Sequence, residues 1–472
     1  MKRVAIIGGG IAGLSAAWYL EKARQSDADL EWILFEKSDR LGGVIQTERR
    51  DGFVLEAGPD SFLTIKPDAA RLCTELGLAD QLISSNDAER KTYILVKGRL
   101  VPIPQGLEFM VPTRIWPMAT TPLFSFATKL RMSGELFSRP RKHAEDESVG
   151  DFVRRHFGQE MVDRVAEPLL AGVYGGSVER LSVRAVLPRF AEMERESGSL
   201  VRATLKAKAR ARANVKPEAK PQPIFTSLKN GMQQMVDALV NALPKSSLHL
   251  QEQNVAVRPI PINDEWQVES SGRVERFQAV LLAVPGPSAA TMLRQAVPLL
   301  IDGLSRIAYT SSVAVALAYD HADLPGGHGF LVPRSENRKL MACTFVHKKF
   351  SNRAPEGKKL LRCFFSSSRL PDLLQLSDED FQAMARQELK EILGLTAQPL
   401  FVRVFRWDRA MAQYETGHLE RVAEMERVLA AMPGLHIIGN SFHGIGVPDC
   451  IKSARMAVEQ ITACASQPVV AQ

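Results

Sequence analysis

A glycine-rich turn between an apolar strand and a helix, at the start of the chain, constrains the fold more than any other feature. The predicted strand Lys2–Ile7 leads into a turn that contains Gly8, Gly10 and Gly13. A helical pattern covers residues 14–23, and a second apolar run at 31–35 ends at Glu36. This order is typical of a dinucleotide site, because glycines let backbone N–H groups approach a pyrophosphate at the positive end of the helix. Glu36 is then placed to accept hydrogen bonds from an adenosine ribose.

Length and composition indicate a soluble globular chain of two or three domains. Its 472 residues are too many for one simple core, and 45% hydrophobic and 24% charged residues are ordinary values for a globular protein. The five cysteines include no CxxC pair, which argues against a disulfide framework or a zinc site and favours a reducing cytosol. Because the chain opens directly on a strand, we expect no signal peptide and predict a cytoplasmic protein without a metal site.

A basic segment at residues 195–220 carries part of the formal net charge of +7. We interpret it as a solvated loop, with attraction to a membrane surface or steering of an anionic substrate as the alternatives. Nucleic acid is the least supported partner, because the segment has no aromatic residue that could stack on a base.

The least polar stretch, residues 115–128, does not resemble a membrane span. It is short and contains Pro117 and Pro122, whereas a spanning helix needs about 20 apolar residues. Two interpretations stay open: the stretch dips into a membrane surface, or it lines a pocket.

The rest of the chain alternates helical and strand-like segments. Residues 110–200 have mainly helical periodicity, and strand-like runs between 255 and 365 predict a largely antiparallel sheet. Near the C-terminus, a short strand at 435–438, a glycine-rich turn and a helix from about Asp449 repeat the order seen at the N-terminus. Two such turns with a sheet domain between them predict a large flavoprotein.

Several motifs, taken together, are those of one group of flavoproteins. They lie at residues 8–13, 40–47, 58–62, 167–176, 181–182, 406–407, 413–414, 417–418 and 444–451. On these motifs the chain resembles the flavin-dependent porphyrinogen oxidases of haem biosynthesis, nearly from end to end. The Glu-Pro-Leu-Leu sequence at 167–170 and the Gly-Val-Pro-Asp-Cys sequence at 446–450 separate this group from the wider amine-oxidase group.

The resemblance implies an α/β fold. A Rossmann-like FAD-binding domain of the glutathione-reductase or amine-oxidase type is expected with an antiparallel-sheet substrate domain and a helical insertion. The FAD-binding parts are expected at residues 1–85, 221–290 and 406–472. The helical domain, facing substrate or membrane and including the basic loop 195–220, is expected at 86–220, and the sheet domain at 291–405.

A noncovalent FAD is the cofactor that the resemblance implies. The residues expected to contact it are Gly8, Gly10, Ile11, Ala12, Gly13, Glu36, Lys37, Arg40, Gly42, Gly43, Gly58, Pro59, Asp60, Ser61, Val255, Trp407, Ile445, Gly446 and Val447. Core packing is the alternative role for Trp407, and packing at the start of a helix is the alternative role for Val447.

The activity implied by the resemblance is the oxidation of a porphyrinogen to a porphyrin, which removes six electrons and reduces oxygen to hydrogen peroxide. Flavin N5 carries this chemistry, so we predict no catalytic side chain. Lys66 is expected to bind a propionate, although a solvated lysine is the alternative. An apolar wall for the macrocycle, or else packing in a helical core, is expected from Leu169, Leu170, Gly172, Val173 and Tyr174.

Substrate and partners are less constrained. Similarity to the soluble bacterial form favours coproporphyrinogen III over protoporphyrinogen IX. An amine oxidase or carotenoid desaturase on the same scaffold, and a non-enzymatic flavin-binding partner, are the alternative functions. Transfer of the product to a ferrochelatase and peripheral contact with the inner face of a membrane stay open, and the sequence does not indicate an oligomeric state.

Overall fold

The computed structural model describes residues 2–141, 145–214, 222–260 and 265–463. Its strands are, in chain order, β1 (Lys2–Ile7), β2 (Leu30–Phe35), β3 (Thr47–Arg50), β4 (Phe53–Glu56), β5 (Phe62–Leu63), β6 (Leu82–Ser84), β7 (Thr92–Val96), β8 (Arg99–Pro102), β9 (Leu107–Glu108), β10 (Val111–Pro112), β11 (Phe225–Leu228), β12 (Leu248–His249), β13 (Ala256–Ile260), β14 (Glu265–Ser270), β15 (Arg273–Phe277), β16 (Ala279–Leu282), β17 (Tyr309–Tyr319), β18 (Gly329–Leu331), β19 (Ala342–Phe345), β20 (Lys359–Ser366), β21 (Phe401–Ala412) and β22 (Leu435–Ile437).

The α-helices alternate with these strands. They are α1 (Ile11–Arg24), α2 (Pro67–Glu75), α3 (Ile115–Thr120), α4 (Phe126–Gly134), α5 (Val149–Phe157), α6 (Gln159–Met161), α7 (Glu167–Tyr174), α8 (Val183–Val186), α9 (Pro188–Ser197), α10 (Leu200–Asn214), α11 (Gln233–Ala242), α12 (Gly286–Met292), α13 (Pro298–Ser305), α14 (Val346–Lys349), α15 (Asp378–Leu393), α16 (His418–Ala430) and α17 (Val447–Ala463). Among the described residues, none of these helices has the length and apolar character needed to cross a membrane.

A five-stranded parallel sheet forms the centre of the α/β part, in the order β12-β2-β1-β16-β22. Alternate residues of β1 face opposite sides, so Val4 and Ile6 pack with α1, α11 and α17 while Ala5 and Ile7 pack toward α12, α13 and α16. Burial on both faces explains why the parallel strands are nearly continuous apolar runs. The predicted Rossmann-like fold is confirmed.

A seven-stranded sheet forms the second layer, in the order β21-β17-β20-β19-β18-β7-β8. Its pairings are antiparallel except for β18 with β7, which is parallel. The β7–β8 hairpin comes from the stretch 86–220 that the sequence assigned to the helical part, and β21 crosses the boundary drawn at residue 406. The division of the chain into domains stays a prediction.

The basic segment 195–220 is not a loop where the structure describes it. Residues 195–197 form the end of α9 and residues 200–214 form α10, and residues 215–220 of the segment lie outside the described residues. The prediction of a loop was wrong for this part, because the high density of charged residues suggested a solvated loop although their helix propensity is high. Alanine, leucine, lysine and arginine, which dominate α10, are all strong helix formers.

A buried ionic network joins the helices of this region. The imidazole of His156, 4% exposed, lies 3.0 Å from Glu135 Oε1 and 3.2 Å from Glu194 Oε1. Glu135 also accepts hydrogen bonds from the Ser199 hydroxyl and the Leu200 N–H, which caps α10. Burial alone would lower the pKa of His156, but hydrogen bonds to the two carboxylates raise it above its ordinary value. The network therefore stabilises the helical part when His156 is charged.

We expect His156→Gln to destabilise the protein most below about pH 6.5, the ordinary histidine pKa. Because the pKa of His156 is raised in the folded state, its contribution is complete below that value and declines as the pH rises through the folded-state pKa. Denaturant unfolding of the wild type and the variant at pH 6 and pH 9 measures this. An equal difference in unfolding free energy at both pH values would contradict it. His321→Gln, at an exposed histidine, is the matched control.

Candidate cofactor and substrate site

The glycine turn after β1 has no room for side chains on its inner positions. Gly8 has a φ of +106°, and a Cβ there would lie 2.6 Å from the Ala283 carbonyl oxygen. A Cβ on Gly13 would lie 1.9 Å from the carbonyl oxygen of Gly8. Gly10 differs, because a Cβ on it would meet no protein atom within 4 Å. The turn is thus packed tightly against neighbouring backbone at Gly8 and Gly13, whereas at Gly10 it leaves open space for a ligand.

Helix α1 begins at this open position without a side-chain cap. Gly10 is its N-cap and supplies no capping hydrogen bond, and the first turn contains no acidic residue. The positive end of α1, with Ile11 and Ala12 in its first turn, can therefore accept an anionic group. This is the arrangement expected at a pyrophosphate site.

Glu36 lies beside the turn, as its position at the end of β2 predicts. Its Oε2 accepts a hydrogen bond of 2.6 Å from the Gly9 N–H, and its Oε1 accepts from the N–H and hydroxyl of Ser38. These bonds fix the orientation of the carboxylate. The carbonyl of Lys37 accepts from Gln253, and the partly buried Val255 packs into the core that contains Phe35. The predicted ribose and adenine contacts therefore lie at one edge of the parallel sheet.

Two further turns lie against the first. The Gly42 N–H donates to the Gly9 carbonyl over 2.8 Å, and a Cβ on Gly43 would lie 3.1 Å from the Gly10 Cα. A Cβ on Gly58 would lie 1.8 Å from the carbonyl oxygen of Val44. The turns at 8–13, 40–44 and 57–61, hereafter the three glycine turns, thus form one continuous backbone surface. Arg40 closes the second turn by donating to the carbonyls of Leu41, Gly43 and Ile45.

Asp60 in the third turn is an anchor to the antiparallel sheet part. Lys349 Nζ lies 3.0 and 2.9 Å from its two carboxylate oxygens, and the Ser61 hydroxyl donates to it over 2.6 Å. Burial raises the pKa of Asp60, but the charges of Lys349 and Arg362 outweigh it and hold the pKa well below the ordinary value. Asp60 is therefore a charged structural group, with Pro59 beside it.

Two side chains from the seven-stranded sheet hold the start of the same turn. Trp407 Nε1 donates to the Ala57 carbonyl over 2.7 Å. Arg362 Nη2 donates to the carbonyls of Ala57 and Gly58 over 3.0 and 2.6 Å. Sequence reasoning missed Arg362 and Lys349, which lie far along the chain from the turn. The one local signal was an arginine inside the apolar run of β20.

The C-terminal glycine turn lies next to the first turn of α1. A Cβ on Gly439 would lie 3.9 Å from the Ala12 Cβ, and the Gly446 N–H donates to Asp449 Oδ2 over 3.2 Å. Asp449 also forms an ion pair with Lys66, whose Nζ lies 2.7 and 2.6 Å from the two carboxylate oxygens of Asp449. The cation predicted for a substrate propionate therefore already has a carboxylate partner.

The predicted apolar wall, α7, divides into two faces. Leu170 and Tyr174 are buried in the helical core and Leu169 packs against it, whereas Gly172 and Val173 are exposed. Burial, together with the charge of Asp449, raises the pKa of Tyr174 to about 12, so its hydroxyl stays neutral. Leu170 and Tyr174 thus pack in the helical core, Val173 is the apolar side chain that faces outward, and the wall for the macrocycle stays a prediction.

The C-terminal turn lies beside this helical core. Ile445 packs against the helical core and also against the core on the α12–α13 side of the parallel sheet. Val447 is buried in the core on the opposite side of that sheet, which includes α1. The end of α7 is held by Gln413 and Thr310, which donate to the Tyr174 carbonyl. The predicted cofactor and substrate residues therefore belong to adjoining elements.

These residues fit a flavin dinucleotide on physical grounds. The uncapped helix and the open Gly10 suit a pyrophosphate, and the three glycine turns offer a backbone surface without side chains. No group of three or more His, Cys, Asp or Glu side chains suited to a metal ion occurs within the described ranges.

Comparisons with known proteins give the chain its relatives. The family described as flavin containing amine oxidoreductase matches residues 11–462. A coproporphyrinogen III oxidase of Bacillus subtilis (strain 168) is 35% identical and covers 97% of each chain. A coproporphyrinogen III oxidase of Staphylococcus aureus (strain NCTC 8325 / PS 47) is 30% identical over 98% of this chain and 99% of the other. A crystal structure from Exiguobacterium sp. 255-15, provisionally named a protoporphyrinogen oxidase, has a TM-score of 0.85 and 30% identity, covering 98% of this chain and 99% of that chain.

We expect Gly10→Ala to leave the fold intact and to weaken flavin binding about tenfold or more, which corresponds to about 1.4 kcal/mol. The added methyl group meets no protein atom, so only a ligand in the open space would be displaced. Flavin fluorescence titration of the apoprotein, with circular dichroism for the fold, measures both effects.

The matched control is Gly134→Ala at the end of α4, where a Cβ also meets nothing within 4 Å. Unchanged flavin affinity in Gly10→Ala would show that the cofactor does not lie over this turn.

Proposed function

Since the chain belongs to the flavin containing amine oxidoreductase family and, within it, to the porphyrinogen oxidases, we propose that it oxidises a porphyrinogen to a porphyrin with bound FAD. The observation that carries the proposal is full-length identity of 35% to a coproporphyrinogen III oxidase, combined with a surface of three glycine turns at the uncapped end of α1. When bound, FAD accepts two electrons at a time, so three such oxidations remove six electrons and three O₂ become three H₂O₂.

The chain's own residues hold the cofactor in this proposal. The first turn of α1 and the backbone of Gly10 bind the pyrophosphate, and Glu36 accepts from the adenosine ribose. The turns at 40–44 and 57–61 support the flavin end, anchored by Trp407 and Arg362 through backbone carbonyls. Positioning of this kind is the main contribution that the protein makes to a cofactor-borne reaction.

The substrate site is proposed beside the C-terminal turn. Val173 on the exposed face of α7 supplies apolar surface, and Ile445 supplies more from the turn. A porphyrinogen carries carboxylates on its rim, and Lys66 is held next to this turn by its ion pair with Asp449, which also accepts from the Gly446 N–H. A substrate carboxylate would compete with Asp449 for the Lys66 ammonium. Binding would therefore exchange one charge pair for another rather than desolvate a free lysine.

Coproporphyrinogen III is the proposed substrate because relatives at 35% and 30% identity are named coproporphyrinogen III oxidases. Oxygen as electron acceptor and a cytoplasmic location are part of the same proposal. The four described cysteines, Cys73, Cys343, Cys363 and Cys450, are free thiols, which suits a reducing compartment.

We expect anaerobic addition of coproporphyrinogen III to bleach the flavin absorbance of the purified protein, and readmission of air to restore it. Protoporphyrinogen IX should bleach it more slowly at equal concentration. Lys66→Met should raise the concentration needed for half-maximal bleaching about tenfold, the loss expected for one charge-assisted contact.

The comparison variant is Lys245→Met, at an exposed lysine that donates to the Val240 carbonyl. Bleaching by a primary amine and by neither porphyrinogen would favour the amine oxidase alternative, and bound flavin that no porphyrinogen reduces would favour a non-enzymatic role.

Peripheral contact with a membrane is a second proposal, supported by an exposed apolar patch. Between 64% and 88% of each of five side chains is exposed: Ile115, Trp116, Phe126, Leu130 and Phe137. Arg202 of the basic helix α10 donates to the carbonyls of Leu136 and Ser138, so α10 lies beside the patch. Apolar side chains next to a basic helix suit the surface of an anionic bilayer.

We expect the double variant Trp116→Ser/Phe126→Ser to lose at least about half of its sedimentation with vesicles of phosphatidylcholine and phosphatidylglycerol, because two exposed aromatic groups no longer enter the interface. Leu299→Ser, at a leucine of α13 that is 77% exposed, is the control. Absence of wild-type sedimentation at low salt would rule out this contact.

A further inference from the structure

A cluster of ionisable side chains lies around the turn at 57–61, and its charges have no role in the proposed reaction as described above. Three members are almost wholly inside the protein, since Arg353 is 0%, Glu56 is 4% and Arg362 is 7% exposed. The members are Glu56, Asp60, Lys349, Arg353 and Arg362. Three cations face two carboxylates, so the cluster holds an excess of positive charge.

Arg362 is the member that touches the turn through its backbone. Its Nη2 donates to the carbonyls of both Ala57 and Gly58, while its Nε is buried without a hydrogen-bond partner. Its guanidinium carbon lies 4.8 Å from the centre of the Phe364 ring. A neutral donor could bond the same carbonyls, and a buried charge costs more free energy than a buried neutral group. The positive charge of Arg362 compensates Asp60 and Glu56, and together with Lys349 and Arg353 it exceeds these two carboxylates by one.

The turn that Arg362 holds is part of the backbone surface proposed for the flavin. Gly58 lies against the carbonyl of Val44. Gly43, which precedes Val44 in the chain, lies against Gly10 at the N-terminus of α1. A cation close to this surface, in a region of low dielectric, interacts strongly with any negative charge placed there. A flavin carries more negative charge when it is reduced than when it is oxidised, so an excess cation favours the reduced state.

We propose that Arg362, supported by Lys349, is a positioning residue whose charge raises the reduction potential of the bound flavin. The inference rests on the proposed function, because it requires a flavin over the three glycine turns. Trp407 shares the Ala57 carbonyl with Arg362 but is neutral, so it holds the turn without this electrostatic effect.

The test is the midpoint potential of the flavin in holoenzyme variants, measured by dye-coupled reductive titration. In Arg362→Gln, an amide replaces the charge, and we expect the ratio of reduced to oxidised flavin at a fixed potential to fall about tenfold. For a two-electron couple this is a shift of about 30 mV to lower potential. Arg362→Lys keeps the charge, and its potential should stay close to that of the wild type.

The matched control is Arg369→Gln. Arg369 is another arginine with a buried side chain, but it donates to the carbonyls of Val332 and Leu340 and to the Glu167 carboxylate. Its substitution should leave the potential unchanged even where it lowers stability. Where Arg362→Gln fails to retain flavin, Lys349→Met provides the second measurement, since it removes a positive charge without touching the Ala57 and Gly58 carbonyls.

An unchanged potential in Arg362→Gln would overturn the inference, as would an equal shift in Arg362→Lys, which would assign the effect to lost donor geometry. Where Lys349→Met is the variant measured, an unchanged potential has the same meaning. Failure of the proposed function looks different: the unaltered protein would bind no flavin, or would hold flavin that porphyrinogens do not reduce.

Discussion

The parallel pairing of β1 with its neighbours is the interaction on which the rest of the structure depends. This central strand pairs with β2 from the N-terminal unit and with β16 from the middle of the chain, and β16 in turn pairs with β22. Parallel strands present their carboxyl ends at one edge, and loops that leave this edge converge. The glycine turns after β1 and β22, which are far apart in the sequence, therefore meet around one surface.

The glycine turns can meet only because the backbone of one turn can lie directly against other backbone. At Gly13 and Gly58, even a methyl group would come within 2 Å of a carbonyl oxygen. The antiparallel sheet contacts one turn of this surface through Arg362 and Trp407, which bind its carbonyls, and helix α14 contacts it through Lys349, which binds its carboxylate. A rigid scaffold on one side and charged or hydrogen-bonding anchors on the other leave the turns little freedom, as a positioned cofactor requires.

Local features of the fold could be predicted from the sequence, and long-range contacts could not. The strand, turn and helix at residues 2–24 follow from periodicity and glycine spacing, and the capping box of Ser377 and Asp380 at the start of α15 is likewise a local feature. Arg362 has no local motif, because its role depends on a contact with a turn that is remote in sequence. Lys66 was placed beside the glycine motif without its partner Asp449 for the same reason. The helix α10 was misjudged because charge density suggested solvent, whereas alanine and leucine between the charges favoured helix.

The bond between Lys66 and Asp449 also has a consequence for biosynthesis. Asp449 lies in α17, which packs along α1, and β22 just before it completes one edge of the parallel sheet. A ribosome releases these segments after β1, α1 and Lys66, and domains generally form as units during translation. The Lys66–Asp449 ion pair and the pairing of β16 with β22 can therefore form only after the ribosome has released β22 and α17, so this edge of the sheet is completed after β1 and β2 have been made.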